Sequence, residues 1–201
     1  MKRFITISRE FGSGGHSIGQ KVAEKLNLKF YDQTLLEKIA QETGLSAEYI
    51  ESSEYAPVKN SLLFDLVVNR SLINYAEPSP ADMVYFAQAK IIKEIAEKEN
   101  CVIVGRCSDY ILRDRKDALH VFIYADLDNR SKRILERYGE SDKPILKRIE
   151  DKDARRKIYY SHYTDRPWGV PQNYHVSLSS SALGEDACVN TIVNLFRECD
   201  G

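Results

Sequence analysis

FITISREFGSGGHSIGQKVAEKL, residues 4–26, holds a strand, a glycine turn and a helix in one run. Its apolar, β-branched opening, Phe4-Ile5-Thr6-Ile7, predicts a buried strand. Gly12, Gly14 and Gly15 follow as a turn, and Ile18, Val22, Ala23 and Leu26 then recur at the spacing of one helix face. Glycines let backbone N–H groups crowd around an anion, and a helix N-terminus adds about half a positive charge. This is the layout of a phosphate cradle, and it is richer in glycine than a plain βα turn requires. Ser17 falls in the first turn of the helix, where its hydroxyl can cap the helix or reach a phosphate-bound Mg²⁺.

Two phosphate-binding patterns fit this layout in part. One is G-x-x-x-x-G-K-[ST], of which a variant carries one more glycine between the lysine and the Ser/Thr. On that variant Arg9 stands at the first glycine, Gly12 and Gly14 match, Gly15 replaces the lysine, His16 replaces the extra glycine and Ser17 is the hydroxyl residue. The other is the dinucleotide pattern G-x-G-x-x-G, which matches Gly12 and Gly14 but meets Ser17 at its third glycine. Asp32 lies about 20 residues on, where a ribose-binding acid belongs. The loop alone leaves both patterns open.

The 201 residues, 43% of them hydrophobic, suffice for one domain with a full core. With 29 basic and 30 acidic residues the net charge is −1, which gives no reason to expect nucleic acid or a membrane surface as partner. No apolar run approaches the ~20 residues of a membrane span. The chain enters a strand without a secretory pattern, and Cys101, Cys107, Cys188 and Cys199 lack metal-pair spacing. A cytoplasmic protein with reduced thiols is the expectation.

Further along, strands and helices alternate. Residues 28–31 predict a second strand ending at Asp32, and residues 34–43 a helix stopped by Gly44. Ser46 can cap a short helix, residues 54–60 read as a loop, and apolar helices are expected over about 61–75 and 81–98. That apolar pair is long enough to pack against a second copy of the chain or against its own core. Cys101–Val104 and residues 121–124 predict the third and fourth strands, with a short helix at residues 110–112 between them. A helix follows from Asp126, carrying Arg130, Arg133 and Arg137 on one face. Residues 139–168 are strongly charged, residues 174–178 predict a fifth strand, and residues 185–196 the closing helix. This alternation indicates an α/β fold with a mainly parallel sheet, whose ligands bind at the carboxyl ends of the strands. Arg9, Asp32, Arg106 and Asp126 are all expected at such ends.

The chain resembles the cytidylate-kinase-like family of P-loop phosphotransferases. The resemblance rests on ISREFGSGGHSIG at 7–19, KFYDQTLLEKIA at 29–40, VIVGRCSDYILRD at 102–114 and DARRKIYYSHYTDR at 153–166. It implies a P-loop NTPase fold: a parallel five-stranded core, a helical monophosphate-binding insert over 33–98 and a lid over 139–168, all in one domain. It also implies ATP and Mg²⁺, with a small nucleotide such as CMP as acceptor. Phosphoryl transfer needs cations on the moving charge, Mg²⁺ and exclusion of water. By the resemblance, Gly12, Ser13, Gly14, Gly15 and His16 cradle the donor phosphate through backbone N–H groups, and Ser17 helps to hold Mg²⁺. Asp32 faces the acceptor, although a helix N-cap explains it equally well. Arg106 matches the arginine that holds the acceptor phosphate, with Cys107 where the family carries aspartate. Arg133 and Arg156 are the lid cations, and Asp153 orients Arg156. Because Gly15 replaces the lysine, Arg9 is the candidate to supply its charge. The missing lysine also leaves room for a nucleotide-binding protein without catalysis. An NAD(P)-dependent oxidoreductase is the third reading, opposed by the missing third glycine and the arginine-rich distal segment.

Overall fold

A computed structural model describes residues 3–46, 48, 50 and 79–198. Its sheet has five strands: β1 Phe4–Arg9, β2 Lys29–Tyr31, β3 Cys101–Val104, β4 Ala118–Tyr124 and β5 Val176–Ser179. All are parallel, in the order β2-β3-β1-β4-β5. The central strand β1 aligns Phe4 with Cys101 and Ile7 with Val104 on one side, and Ile5 with Leu119 and Arg9 with Ile123 on the other. The dinucleotide fold places β2 beside β1. Here β3 occupies that place, so the strand order is not that of the dinucleotide fold.

The helices are α1 Gly15–Leu26, α2 Gln33–Thr43, α3 Pro80–Lys98, α4 Ser108–Ile111, α5 Leu127–Tyr138, α6 Ile145–Thr164, α7 Ser180–Leu183 and α8 Glu185–Glu198. The side-chain period of β1 divides the core between two layers. Ile5 and Ile7 face α1 and α8, together with Ile18, Val22, Val189 and Ile192. Phe4 faces the opposite layer, where Leu35 and Ile39 of α2, Ile92 of α3 and Tyr159 and Tyr160 of α6 are buried. No helix of the described residues is long and apolar enough to cross a membrane.

Most expected elements are present, with instructive shifts. β4 begins at Ala118, well before the apolar run at 121–124. The polar His120 that interrupts the run is buried, 2.8 Å from the Thr6 hydroxyl. Ser17 does not cap α1; Gly14 stands at the cap, at φ 82°, with no side chain bonding the helix start. Nor does the Asp32 carboxylate cap α2. α3 does have a capping box, Ser79 with Asp82, and Pro80 in its first turn. The charged region after Gly139 is mostly α6, whose buried face includes Asp153, Arg156, Tyr159, Tyr160 and Thr164. Part of that region is therefore core. The helix expected over about 61–75, the loop before it and part of the short helix after Ser46 lie outside the described residues.

Candidate active site

The glycine loop leaves β1 at the carboxyl end of the sheet. Gly12 and Gly14 both hold φ 82°, a left-handed conformation costly for any other residue. The loop is pressed against α5: a Cβ at Gly12 would come within 2.9 Å of the Arg130 carbonyl, and one at Gly14 within 2.8 Å of Arg133 Cζ. Ile18 N–H makes a backbone bond to Gly14 O, 2.9 Å. The N–H groups before it, at Gly15, His16 and Ser17, belong to the first turn, where an α-helix has no acceptor of its own to offer.

A buried ionic network fixes the loop. Asp153 of α6 accepts from Phe11 N–H at 2.9 Å and pairs with Arg130. Arg130 donates through Nε to Phe11 O, 2.7 Å, and reaches Glu10 Oε2 at 3.3 Å. Glu10 in turn accepts from Ala125 N–H, 3.1 Å. Arg156 donates to Arg9 O, 3.0 Å, and lies 3.5 Å from Asp153 Oδ1. Arg130, Asp153 and Arg156 are each less than a tenth exposed. Buried charges persist only when paired and hydrogen-bonded, and here each partner belongs to the loop or its brace.

The α5 arginines take different tasks. Arg130 is spent on the brace. Arg133 lies over Gly14, tied by Glu185 of α8 at 3.0 Å. Arg137 donates to Ser17 Oγ at 3.4 Å. Ser17 thus faces α5 and is not among the residues lining the cavity described below. Ser13 also turns away from it. Its hydroxyl bonds Glu10 O and Ile123 O, its N–H bonds Glu10 O at 3.3 Å, and it is fully buried. Ser13 therefore anchors the loop to β4, and its N–H is not available to an anion.

Arg9 packs over Gly15. A Cβ at Gly15 would lie 2.5 Å from Arg9 Cβ and 2.9 Å from its Cγ. A Cβ at Gly105, at the end of β3, would fall on Arg9 Nη1. The Arg9 side chain thus runs from the loop to the β3 end across two positions that only glycine leaves open. Arg106 follows at φ 59°, buried, its guanidinium 3.4 Å from Gln88 Oε1. The Gln88 amide bonds Arg106 O at 2.7 Å. Asp32, at the end of β2, faces His16 with Oδ2 and Nε2 3.0 Å apart. Burial alone would push the Asp32 carboxyl up, but the His16 hydrogen bond and the charges of Arg9 and Arg106 outweigh it and hold it below its ordinary range. Asp126, also at a strand end, is instead the N-cap of α5, accepting from Asn129 N–H at 2.8 Å.

These groups surround one cavity of about 660 Å³. It is lined by Gly12, Gly14, Gly15, His16 and Asp32, and by Arg9, Arg106, Arg133, Arg137, Lys143, Arg148, Lys152, Arg155 and Arg156. Among the described residues, nine cationic ones line it beside three carboxylates, Glu10, Asp32 and Asp151. Such a cavity suits several phosphates, not an apolar ligand. Of the expected site residues, only Ser13 and Ser17 lie outside it. The sequence reading missed the brace of Glu10 and Arg130, and Gln88. Gln88 did leave a trace: a buried amide on the same face of α3 as Val84, Ile91 and Ile95. Among the described residues no cluster of histidine, cysteine and carboxylate side chains is placed to hold a metal.

Comparison with known proteins bears on the family and the fold. The cytidylate kinase-like family profile matches residues 4–182. A cytidylate kinase from Archaeoglobus fulgidus is 28% identical over 196 residues, covering 94% of this chain and 92% of its own. A crystal structure of an uncharacterized protein from Eubacterium ventriosum is 27% identical, covers 98% of this chain and 99% of its own, and superposes with a TM-score of 0.73. A shikimate kinase from Acinetobacter baumannii, solved with shikimate, shares the fold at 13% identity with a TM-score of 0.55, over 100% of this chain and 96% of its own.

Proposed function

Because the chain belongs to the cytidylate kinase-like family, we propose that it transfers the γ-phosphate of ATP to a CMP-like nucleoside monophosphate. The observation that carries this reading is Arg9, laid across Gly15 and Gly105 between the phosphate loop and the end of β3. This supports a role for Arg9 as the cation between donor and acceptor phosphates, the requirement left unmet by the missing lysine. In this reading the N–H groups of Gly15 and His16 hold the donor phosphates, with Arg133 above Gly14. Arg106 and Asp32 bind the acceptor, and Arg156 keeps Arg9 in place through its backbone oxygen.

ATP fits the site on its own terms. The helix start is uncapped, its first turn has N–H groups to give, and the lining is cationic. Mg²⁺ binds through substrate phosphates and few protein ligands, so the lack of an acidic cluster does not oppose it. Ser17, in the first turn of α1, would help to hold it on releasing Arg137. The metal would neutralise phosphate charge.

The test is ADP release from ATP with CMP, UMP, dCMP, AMP and GMP as acceptors, beside thermal shifts for each nucleotide. Transfer with CMP well above the purine nucleotides is expected. ATP binding with no transfer to any acceptor would instead establish the non-catalytic nucleotide-binding reading, which the missing lysine favours.

A further inference from the structure

We propose that His16 works on the acceptor side of the cavity, as a positioning residue that holds Asp32 toward the incoming acceptor. Its place in the phosphate loop assigns it to the donor, and the proposal keeps that role for its backbone N–H alone. The side chain turns the other way. Its Nε2 lies 3.0 Å from Asp32 Oδ2, and its ring stands edge-on to Phe30 of β2, with centroids 5.4 Å apart. An ionised carboxylate only accepts hydrogen bonds, so the contact places a proton on Nε2. The bond ties the first turn of α1 to the end of β2, the two elements between which donor and acceptor must meet.

The consequence concerns orientation. Asp32 lies in the field of Arg9 and Arg106. An unrestrained carboxylate there would swing onto a guanidinium and compete with an acceptor phosphate. With one oxygen held by His16, the carboxylate stays beside the arginines and keeps its other oxygen for a donor group on the acceptor, a hydroxyl or an exocyclic amine. The site then recognises an anion and a hydrogen-bond donor together. This rests on the proposed acceptor reading, and the test separates the two.

The first readout needs no acceptor. Nitrogen NMR of the imidazole should show His16 as the Nε2–H tautomer, with that N–H protected from solvent exchange in the wild type and exposed in Asp32→Ala. An Nε2–H that exchanges equally fast in wild type and Asp32→Ala overturns the proposal. The second readout is calorimetric titration of CMP and of ADP. His16→Phe should weaken CMP about tenfold, the value of one charge-assisted hydrogen bond, and change ADP affinity less than threefold. His16→Gln, which restores an N–H donor, should recover most of the loss. In an Asp32→Asn background, His16→Phe should add little. Equal losses for ADP and CMP, or no rescue by glutamine, would show a structural role only and overturn the proposal. Wild-type protein that ignores CMP would end the acceptor reading, while the exchange measurement still decides this one.

Discussion

The loop leaving β1 and the turn leaving β3 start from neighbouring strand ends, yet opposite forces hold them. The β1 loop is gripped by charge from distant helices: Asp153 on Phe11 N–H, Arg130 on Phe11 O, Arg156 on Arg9 O. The β3 turn is instead a strained backbone, secured in part by a neutral side chain. Gly105, Arg106 and Cys107 take left-handed conformations at φ 76°, 59° and 53°, and the Gln88 amide secures the middle carbonyl. Left-handed non-glycine residues cost roughly 1–2 kcal/mol each, and such strain persists where surrounding contacts dictate it. The β1 loop is braced by buried charges from α5 and α6, the β3 turn by the neutral amide of α3.

Asp153→Ala sharpens this contrast most. It removes the carboxylate shared by buried Arg130 and Arg156 and leaves Phe11 N–H without its side-chain acceptor, so about 3–5 kcal/mol of stability should be lost. Denaturant unfolding measures it. Gln88→Leu removes the bond to the Arg106 carbonyl and a long one from its guanidinium, with no buried ion pair broken, and should cost about 1–3 kcal/mol. Equal losses in the two variants would break the comparison.

A smaller effect separates two carboxylates near these strand ends. Asp32 is held below its usual range, so its ionised form stabilises the fold at neutral pH; that contribution fades as pH falls through its lowered pKa. Asp109 is the reverse. Burial pushes it up, despite hydrogen bonds from Tyr160 at 2.6 Å and Ser8 at 3.3 Å, so ionising it opposes folding. Melting temperatures across pH 3–7 should show Asp32→Asn below wild type at neutral pH and converging with it in acid. Asp109→Asn should gain on wild type as pH rises past about 4. Parallel curves for both variants would contradict these opposite environments.

The comparison also explains what the sequence made legible. Local signals were readable: the β1–α1 run, the Gly105-Arg106 pair after an apolar strand, and the stop of α2 at Gly44. The strand order was not, because nothing in the run at 101–104 says that it inserts between β1 and β2. Ser13 reads as a cradle residue until its hydroxyl is seen bonding the carbonyl of Ile123, far along the chain. The arginines after Asp126 share a helix face, yet only the tertiary structure separates the brace, Arg130, from the cavity cations Arg133 and Arg137. Gly15 looked like a simple loss of the lysine. The structure shows that the Arg9 stem fills the space a side chain there would need.

That substitution is the centre of the account, and Arg9→Met tests it most directly. Methionine keeps an unbranched stem between Gly15 and Gly105 while removing the charge. ATP affinity, ATP-to-CMP transfer rate and melting temperature are measured on one preparation beside wild type. The account predicts weaker ATP binding and transfer slowed by about 100-fold or more, with the melting temperature nearly unchanged. Wild-type ATP affinity and wild-type transfer in Arg9→Met would contradict it.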